Sequence, residues 1–441
     1  MSESHTKKTL FKNALLCIGD DFNFIKGSLV EEDGIISDIF TEDKYDYSQE
    51  FTNIVDCSQY IMTPGFINCH IHLNQLLNRT MLDGKGNDDL IQSMHGRHTK
   101  KTDDDRFWAS LLSIEEGLEA GTTFFWAFGS STGRIVEAMN LSGIRGAFTM
   151  AKKDTWIGNS HIVDVSKTDE IVIDLENIIK SWKFPLITPV IGVASERAAS
   201  KELLLKLGKL RREFDLSFNM HVAEGQSPVN ELIKTTGKSS VEYLSQFDFF
   251  DSNLSLVHAT TISQSEIELI AKNNISVCHC PISNARTAVG LMNLKLMKSS
   301  GVNICLGTDA ASTGNSNNIL LEAYSAILLH NSFNNNSNFL SEKDAFRMLT
   351  INGAKAIGLE GKIGQLKKGY YADFVLWPIN QPLLQPFFKE RILNLIIFSG
   401  GQIKPQYVYV NGQLIFDNQA KKFDVLTVIS KINDYATKSE V

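Results

Sequence analysis

The chain has 441 residues, of which 43% are hydrophobic and 21% are charged, and its formal net charge is −7 at pH 7. This length suits one large α/β domain of about 250 to 350 residues with a smaller module, and the composition is that of an ordinary globular protein. The acidic balance argues against a nucleic-acid surface and no apolar run approaches the roughly 18 residues of a membrane span, so we expect a cytoplasmic protein that binds a small molecule, without nucleic-acid or membrane partners.

Both ends of the chain show short apolar segments separated by turn signals. Residues 9–60 have the proportions of β-hairpins, and strand-like runs return at 372–376, 393–398, 407–410 and 413–416. Asn411-Gly412 between the last two runs is a strong hairpin signal. We therefore predict that residues 1–61 and 361–441 together form a small β-sandwich, with a catalytic domain at 62–360 inserted between them.

The central portion alternates strand-like and helix-like segments. This alternation favours a parallel barrel or a doubly wound sheet, and no G-x-G-x-x-G follows a strand, which lowers the dinucleotide-binding option. A capping-box pattern at 341–344 predicts a helix that runs to about residue 357. The predicted helices are 106–120, 200–214, 263–272 and 318–329, and the predicted strands are 190–194, 216–222, 254–259, 275–278 and 302–307.

The cysteines lie in apolar or strand-like contexts and form no C-x-x-C pair. A disulfide framework and a zinc ribbon are therefore not indicated, and buried reduced thiols are predicted. The six positions are Cys17, Cys57, Cys69, Cys278, Cys280 and Cys305.

Histidine and aspartate side chains recur where the predicted strands end. His70 and His72 are two residues apart on one strand, so both imidazoles face the same side. His221, His258 and Asp309 follow at the ends of later strands. Each one alone is explained by a hydrogen-bonded core or loop residue, but together they would be a costly coincidence of buried polar groups. Three of these four imidazoles with the carboxylate, and one position left for water, would form the ligand set of a catalytic Zn²⁺ or Fe²⁺ ion, which makes hydroxide available near neutral pH.

With these positions the chain resembles the amidohydrolase superfamily, in the branch that includes guanine deaminase, S-adenosylhomocysteine deaminase and the triazine hydrolases. The resemblance covers nearly the whole chain and implies a (β/α)8 TIM-type barrel with a β-sandwich from both termini. The segments that carry it are 63–72, 119–123, 221–224, 257–259, 279–284, 306–309, 361–364 and 369–373.

The resemblance also implies roles for individual residues. His70, His72, His221 and Asp309 match the ligands of one divalent metal ion, which we expect to be Zn²⁺, with Fe²⁺ as the alternative. Glu224 matches the proton shuttle, His258 the histidine that polarises the substrate or the attacking water, and Asp309 also takes a proton. His279 is expected to be structural or to support the ligands. The two-metal relatives carry a lysine after the fourth strand, where this chain has 195–199 without lysine, so a mononuclear centre is expected.

The resemblance predicts hydrolytic deamination of an amino-substituted nitrogen heterocycle of purine, pterin, pyrimidine or nucleoside type. Removal of chloride or an alkylamine from a triazine-like ring is the nearest alternative, and a non-catalytic homologue is a third. The segments 89–98 and 195–198 depart from the adenosine-type pattern, which weakens a nucleoside substrate. Whether the chain forms a homo-oligomer stays open.

Two further residues are candidate substrate contacts. Arg197 lies where guanine deaminases place an arginine that contacts the base, although its neighbours match poorly; a surface arginine at a helix start is the other interpretation. His95, Arg97 and His98 form a polar cluster in a predicted loop over the barrel mouth. A solvated loop is the favoured interpretation of this cluster, and a substrate contact through His98 is the alternative.

Overall fold

The structure is a computed structural model and describes residues 8–41, 51–80, 84, 86, 101–158 and 165–439. The strands within these ranges are β1 (Lys8–Ile18), β2 (Asn23–Glu32), β3 (Ile35–Thr41), β4 (Asn53–Asp56), β5 (Tyr60–Pro64), β6 (Phe66–Ile71), β7 (Thr122–Gly129), β8 (Arg145–Lys152), β9 (Ile187–Ser195), β10 (Phe218–Val222), β11 (Leu254–His258), β12 (Ser276–His279), β13 (Asn303–Leu306), β14 (Phe374–Pro378), β15 (Tyr407–Val410) and β16 (Gln413–Asp417).

Helices follow most of the central strands. They are α1 (Asp103–Leu118), α2 (Gly133–Ser142), α3 (Thr168–Lys180), α4 (Lys201–Glu213), α5 (Gln226–Thr236), α6 (Ser240–Leu244), α7 (Gln264–Lys272), α8 (Pro281–Arg286), α9 (Leu294–Ser299), α10 (Ile319–Phe333), α11 (Glu342–Leu349), α12 (Ile351–Ala356), α13 (Ile392–Phe398) and α14 (Val425–Ser439). Short 3₁₀ helices occupy Leu73–Asn78, Pro382–Leu384 and Lys389–Arg391.

Strands β6 to β13 form a parallel eight-stranded sheet in chain order. The backbone at the end of β6 meets the backbone after β13: the Asp309 amide donates to the His70 carbonyl at 3.0 Å, and the His72 amide donates to the Asp309 carbonyl at 3.1 Å. These bonds bring the first and last strands together, so the predicted (β/α)8 barrel is confirmed. The closure also places the two strand ends that carry three of the candidate ligands side by side.

Both ends of the chain contribute to a second, mixed sheet, as predicted. Its order is β16-β15-β14-β5-β1-β2-β3, and β4 also pairs with β1. The predicted hairpin is present, because Asn411 and Gly412 both have positive φ, at 52° and 72°, as a tight two-residue turn requires. The division into a terminal domain (1–61 with 361–441) and a barrel domain (62–360) stays a prediction. The C-terminal helix α14 packs on barrel helix α1 through Val428 and Phe107.

Two local predictions differ from the structure. Residues 393–398 were expected as a strand but lie in helix α13, where the buried side chains recur with a helical spacing, at Ile392, Leu393, Ile396 and Ile397. A short apolar run is ambiguous in sequence, and here packing against the barrel helices decides it. The predicted capping box is present, with Ser341 as the N-cap, but the helix that follows it is broken at Thr350 into α11 and α12.

The predicted state of the cysteines is confirmed, because all six are free and buried. Within the described ranges, none of the helices combines the length and the apolar character that crossing a bilayer would require.

Candidate metal centre

Four side chains converge at the carboxyl end of the barrel strands. His70 lies on β6 and His72 directly follows it, His221 lies on β10, and Asp309 follows β13. Their donor atoms all lie within 4.8 Å of one another. His221 Nε2 is 3.1 Å from His70 Nε2 and 3.3 Å from His72 Nε2, and Asp309 Oδ1 is 3.4 Å from the Nε2 atom of each of these two histidines.

These distances and charges fit a shared cation. Four donors at about 2.0–2.2 Å from one ion stand about 3 to 3.5 Å apart, which is the spacing found here. Burial lowers the pKa of His70 to about 4, and burial also lowers the pKa of His72 and His221, so the three imidazoles are neutral and offer lone pairs. Burial raises the pKa of Asp309, but the hydrogen bond to His70 and the neighbouring histidines outweigh it and hold this pKa well below its usual range.

Hydrogen bonds behind the donors fix their orientation. His221 Nδ1 lies 2.5 Å from the Ala194 carbonyl oxygen, so Nδ1 carries the proton and Nε2 faces the other donors. Asp309 Oδ2 accepts from Ser283 Oγ at 2.5 Å and from Thr313 Oγ1 at 3.1 Å, which leaves Oδ1 towards the histidines. One carboxylate oxygen is therefore held by hydroxyl groups and the other is free to bind a cation.

The backbone at the strand ends is strained where the candidate residues emerge. Ala223, His258, Ala259 and Asp309 have φ values of 47°, 73°, 48° and 57°. This left-handed region is costly for residues other than glycine, and such residues cluster at sites where function requires them. The strain turns the chain sharply after β10, β11 and β13, so that side chains point into the barrel mouth.

Glu224 and His258 lie beside the four donors. His258 Nε2 is 3.7 Å from Glu224 Oε1, and His258 Nδ1 is 2.8 Å from Asn284 Oδ1. The imidazole of His258 is buried, whereas about a fifth of the Glu224 side chain (20%) is exposed. Glu196 supports the turn that carries Glu224, because its Oε1 accepts from the Ala223 amide at 2.9 Å and from Ser240 Oγ at 2.8 Å. Glu224 can therefore exchange protons with solvent in the cavity, while His258 has a fixed orientation.

One cavity of about 440 Å³ opens over these residues. It is bounded by His72, His221, Glu224, His258 and Asp309 on the metal-ligand side and by Asn74, Gln75, Phe128, Trp156 and Arg197 elsewhere. This volume lies within the range of about 300–1,000 Å³ that holds small-molecule ligands.

The structure describes Arg197 but not His98, the other candidate substrate contact. Arg197 lies in the cavity wall with its guanidinium carbon 4.8 Å from the centre of the Trp156 ring, and only 6% of the residue is exposed, so the interpretation as a surface arginine is wrong. Its role as a substrate contact stays a prediction. His98, like His95 and Arg97, lies outside the described residues.

Several residues at this site were not singled out from the sequence. Ser283 and Asn284 hold Asp309 and His258, Glu196 holds the turn before Glu224, and Trp156 forms part of the cavity wall. The Ser-Asn pair lies in the segment 279–284 that carries part of the resemblance, which is the one signal that could have found it. Glu196 and Trp156 have no pattern of their own, because their contacts come from distant parts of the chain.

Comparison with known proteins agrees with this geometry. Residues 61–415 match the Amidohydrolase family. The 5-methylthioadenosine/S-adenosylhomocysteine deaminase of Pyrococcus furiosus is 25% identical over 413 residues, which cover 92% of this chain and 94% of that protein. The 5′-deoxyadenosine deaminase of Methanococcus vannielii is 30% identical over 379 residues, which cover 85% and 87%.

Solved structures share the fold. A zinc-bound adenosine deaminase from Xanthomonas campestris superimposes with a TM-score of 0.87 at 19% identity and covers 98% of each chain. The zinc complex of atrazine chlorohydrolase from Arthrobacter aurescens gives a TM-score of 0.86 at 19% identity over 97% of this chain and 99% of that one. Together with the His/His/His/Asp donor set, the family match supports a divalent metal ion at this site.

Proposed function

The chain belongs to the amidohydrolase family, and we propose that it deaminates an amino-substituted nitrogen heterocycle by hydrolysis and releases ammonia. The observation that carries the proposal is the convergence of His70, His72, His221 and Asp309 at one cavity, whose wall includes the last three of them and Glu224. Relatives that match more than four fifths of this chain are named as deaminases of adenosine-type compounds, which supports the reaction class.

The four donors would hold one divalent ion, and zinc suits them best. A set of three imidazoles and one carboxylate is typical of Zn²⁺, and Fe²⁺ accepts the same ligands. When bound, such an ion lowers the pKa of a water ligand towards about 7 and polarises groups on the substrate. A single ion is favoured because Glu196, which directly follows β9, is engaged with Ala223 and Ser240 and the segment 195–199 carries no lysine.

The protein side chains supply the proton transfers. Asp309 is held as an anion next to the histidines, so it can accept a proton from the attacking water. Glu224 faces the cavity and can deliver protons to a ring nitrogen and to the departing amine. His258 presents Nε2 towards Glu224 because its Nδ1 is engaged by Asn284, so it can hold the substrate atom that becomes negatively charged. Water is consumed, the C–N bond breaks and ammonia leaves.

The cavity wall favours a flat polar ring as substrate. Phe128 and the Trp156–Arg197 stack offer planar faces, and Asn74 and Gln75 offer amide groups that can pair with ring nitrogens or amino groups. Arg197 is proposed as a substrate contact on this wall, and His98 keeps the same assignment from the sequence alone.

An ammonia-release screen tests the proposal. Metal-loaded protein would be incubated with purines, pterins, pyrimidines, nucleosides and aminotriazines, and ammonia, chloride and alkylamine would be measured in parallel. Ammonia from an amino-substituted ring is the expected result. Chloride or alkylamine without ammonia would replace the proposal with the triazine-type reaction, and no product from any compound at full metal loading would leave the non-catalytic alternative.

A further inference from the structure

Helix α8 begins directly behind the candidate metal centre and carries no cap of its own. It follows β12 and starts with Pro281, and Cys280 at its N-cap position makes no side-chain hydrogen bond to the helix. The first amide groups of a helix lack partners within the helix, and a buried amide without a partner is costly. The start of α8 therefore needs a partner from elsewhere in the fold.

Glu322 supplies that partner from helix α10. Its Oε2 accepts a hydrogen bond from the Ile282 amide at 3.1 Å, and the residue is 1% exposed. Burial raises the pKa of Glu322 well above its usual range. The mechanism given above does not use this buried carboxyl group.

The two residues that follow Ile282 contact two different functional side chains. Ser283 Oγ donates to Asp309 Oδ2 at 2.5 Å, and Asn284 Oδ1 lies 2.8 Å from Nδ1 of His258. Ser283 and Asn284 are both fully buried. Helix α8 thus contacts Asp309, which is a proposed metal ligand, and His258, which is not.

We propose that Glu322, Ser283 and Asn284 form a positioning unit, in which Glu322 fixes the start of α8 so that Ser283 orients Asp309 for the metal ion and Asn284 orients His258 for the substrate. None of the three touches the reacting atoms. The inference rests on the proposed function for its catalytic half, whereas its metal half can be tested without a substrate.

Substitutions of Ser283 and of Asn284 should have different effects on metal affinity and on kcat. Ser283→Ala should weaken metal binding by about tenfold and lower kcat, because partners behind a ligand typically contribute about 10-fold to 100-fold in affinity or activity. Asn284→Leu should lower kcat by about tenfold at unchanged metal affinity and nearly unchanged KM. Metal affinity would be measured by competition with a chromogenic chelator, and kcat by ammonia release.

Substitution of Glu322 should affect both metal affinity and kcat. Glu322→Leu removes the acceptor and should reduce both metal affinity and kcat. Glu322→Gln keeps a carbonyl oxygen as the acceptor, so both quantities should stay within about threefold of wild type. This loss is smaller than the loss of about tenfold expected of the other variants. Glu266 provides the matched control: it is 2% exposed on helix α7, and its Oε1 accepts from the Val241 amide at 2.8 Å. Glu266→Leu should lower thermal stability with metal affinity unchanged.

A spectroscopic measurement separates this inference from the proposed function. The NMR signal of the His258 Nδ1–H group would be recorded in ¹⁵N-histidine-labelled protein and assigned from its absence in His258→Gln. This signal should shift or be lost through exchange with water in Asn284→Leu and Glu322→Leu. It should persist in Ser283→Ala. If no substrate is found but the His258 signal and the metal affinities change in the variants as expected, the proposed function is wrong and the positioning unit is supported. Equal losses of metal affinity in Glu322→Leu and Glu266→Leu would overturn the unit, as would failure of Glu322→Gln to restore it.

Discussion

The position of Glu224 depends on a strained backbone turn. It follows Ala223, which has a positive φ of 47°, and the turn is held by Glu196 from the end of the preceding strand. The turn presents a partly exposed carboxylate beside His258. Strained turns cost folding free energy and cluster at functional sites. We interpret the strain as the cost of placing the proposed proton shuttle at the cavity wall.

Replacing Glu224 by Gln tests this role. The amide keeps the size of the side chain but cannot transfer protons, so turnover should fall by roughly 100-fold to 10,000-fold. Metal content should stay at the wild-type value, because Glu224 is not among the four converging donors. Glu268→Gln on the exposed face of α7 serves as the control for a lost carboxylate. Turnover that survives in Glu224→Gln would show that another group carries the proton.

A buried histidine pair makes stability depend on pH. His330 Nε2 on α10 lies 3.0 Å from His279 Nε2, and burial lowers the pKa of His330 to about 4 and that of His279 well below its usual range. In the unfolded chain the pKa of a histidine is about 6.5. Between these values the unfolded state binds protons that the folded state does not, so stability should fall as the pH drops from about 6.5 towards 4.

His330→Gln should flatten that dependence, since glutamine does not titrate. The free energy of unfolding would be measured in urea at several pH values for both proteins, so that the carboxylates common to both cancel in the difference. The two curves should run parallel above pH 7 and approach each other as the pH falls. Parallel curves over the whole range would mean that His330 has the same pKa in the folded and unfolded states, which would contradict the lowered pKa.

At the level of elements, the close approach of β13 to β6 brings Asp309 to the histidines. A side-chain carbon at Gly307 would lie 2.8 Å from His70 Cβ and 2.9 Å from the His70 backbone nitrogen. Neither atom can move without shifting β6, which carries the proposed ligand His70 and leads directly into His72. Glycine is therefore required here by space, since its φ is not in the positive range.

Gly307→Ala should thus damage both stability and metal binding. Overpacking of this kind costs about 1–3 kcal/mol, and displacement of His70 should lower the metal content of purified protein. Gly133→Ala at the start of α2 is the control, because a side-chain carbon there meets nothing within 4 Å. Urea unfolding and metal analysis of the two variants test the expectation, which full metal content in Gly307→Ala would refute.

The elements that carry the site could be predicted from the sequence because their signals are local. A His-x-His strand and apolar runs that end in His or Asp place the residues at one end of a parallel barrel. The strand predicted at 393–398 became helix α13 because a short apolar run fits both periods and tertiary packing decides between them. The contacts of Ser283, Asn284 and Glu322 were not predictable, since each joins segments more than 20 residues apart along the chain.

At the scale of the whole molecule, a buried ion pair links the barrel to the terminal sheet. Arg145 at the start of β8 donates through Nε to Asp373 Oδ2 at 2.6 Å, and the side chains are 8% and 3% exposed. Asp373 Oδ1 also accepts from the Asn411 amide at 2.8 Å. The pair therefore ties the start of β8 in the barrel to the residue before β14 and to the turn between β15 and β16 in the terminal sheet.

Asp373→Asn should destabilise the protein by about 3–5 kcal/mol, because it leaves the Arg145 charge buried without its partner. The exposed pair of Arg134 and Asp104, with 32% and 74% of the side chains exposed, is the comparison. Asp104→Asn should change the free energy of unfolding by about 1 kcal/mol or less. Equal effects of the two substitutions in urea unfolding would show that the buried pair contributes little to joining the barrel and the sheet.

We propose that His70, His72, His221 and Asp309 hold a divalent ion on which hydrolytic deamination depends. The decisive measurement is ammonia release by one preparation before metal removal, after dialysis against a chelator, and after addition of one equivalent of Zn²⁺ or Fe²⁺. We expect release to be lost with the metal and to return on its addition, and expect no return in His70→Ala. Undiminished ammonia release from the metal-free protein would show that deamination does not depend on this ion.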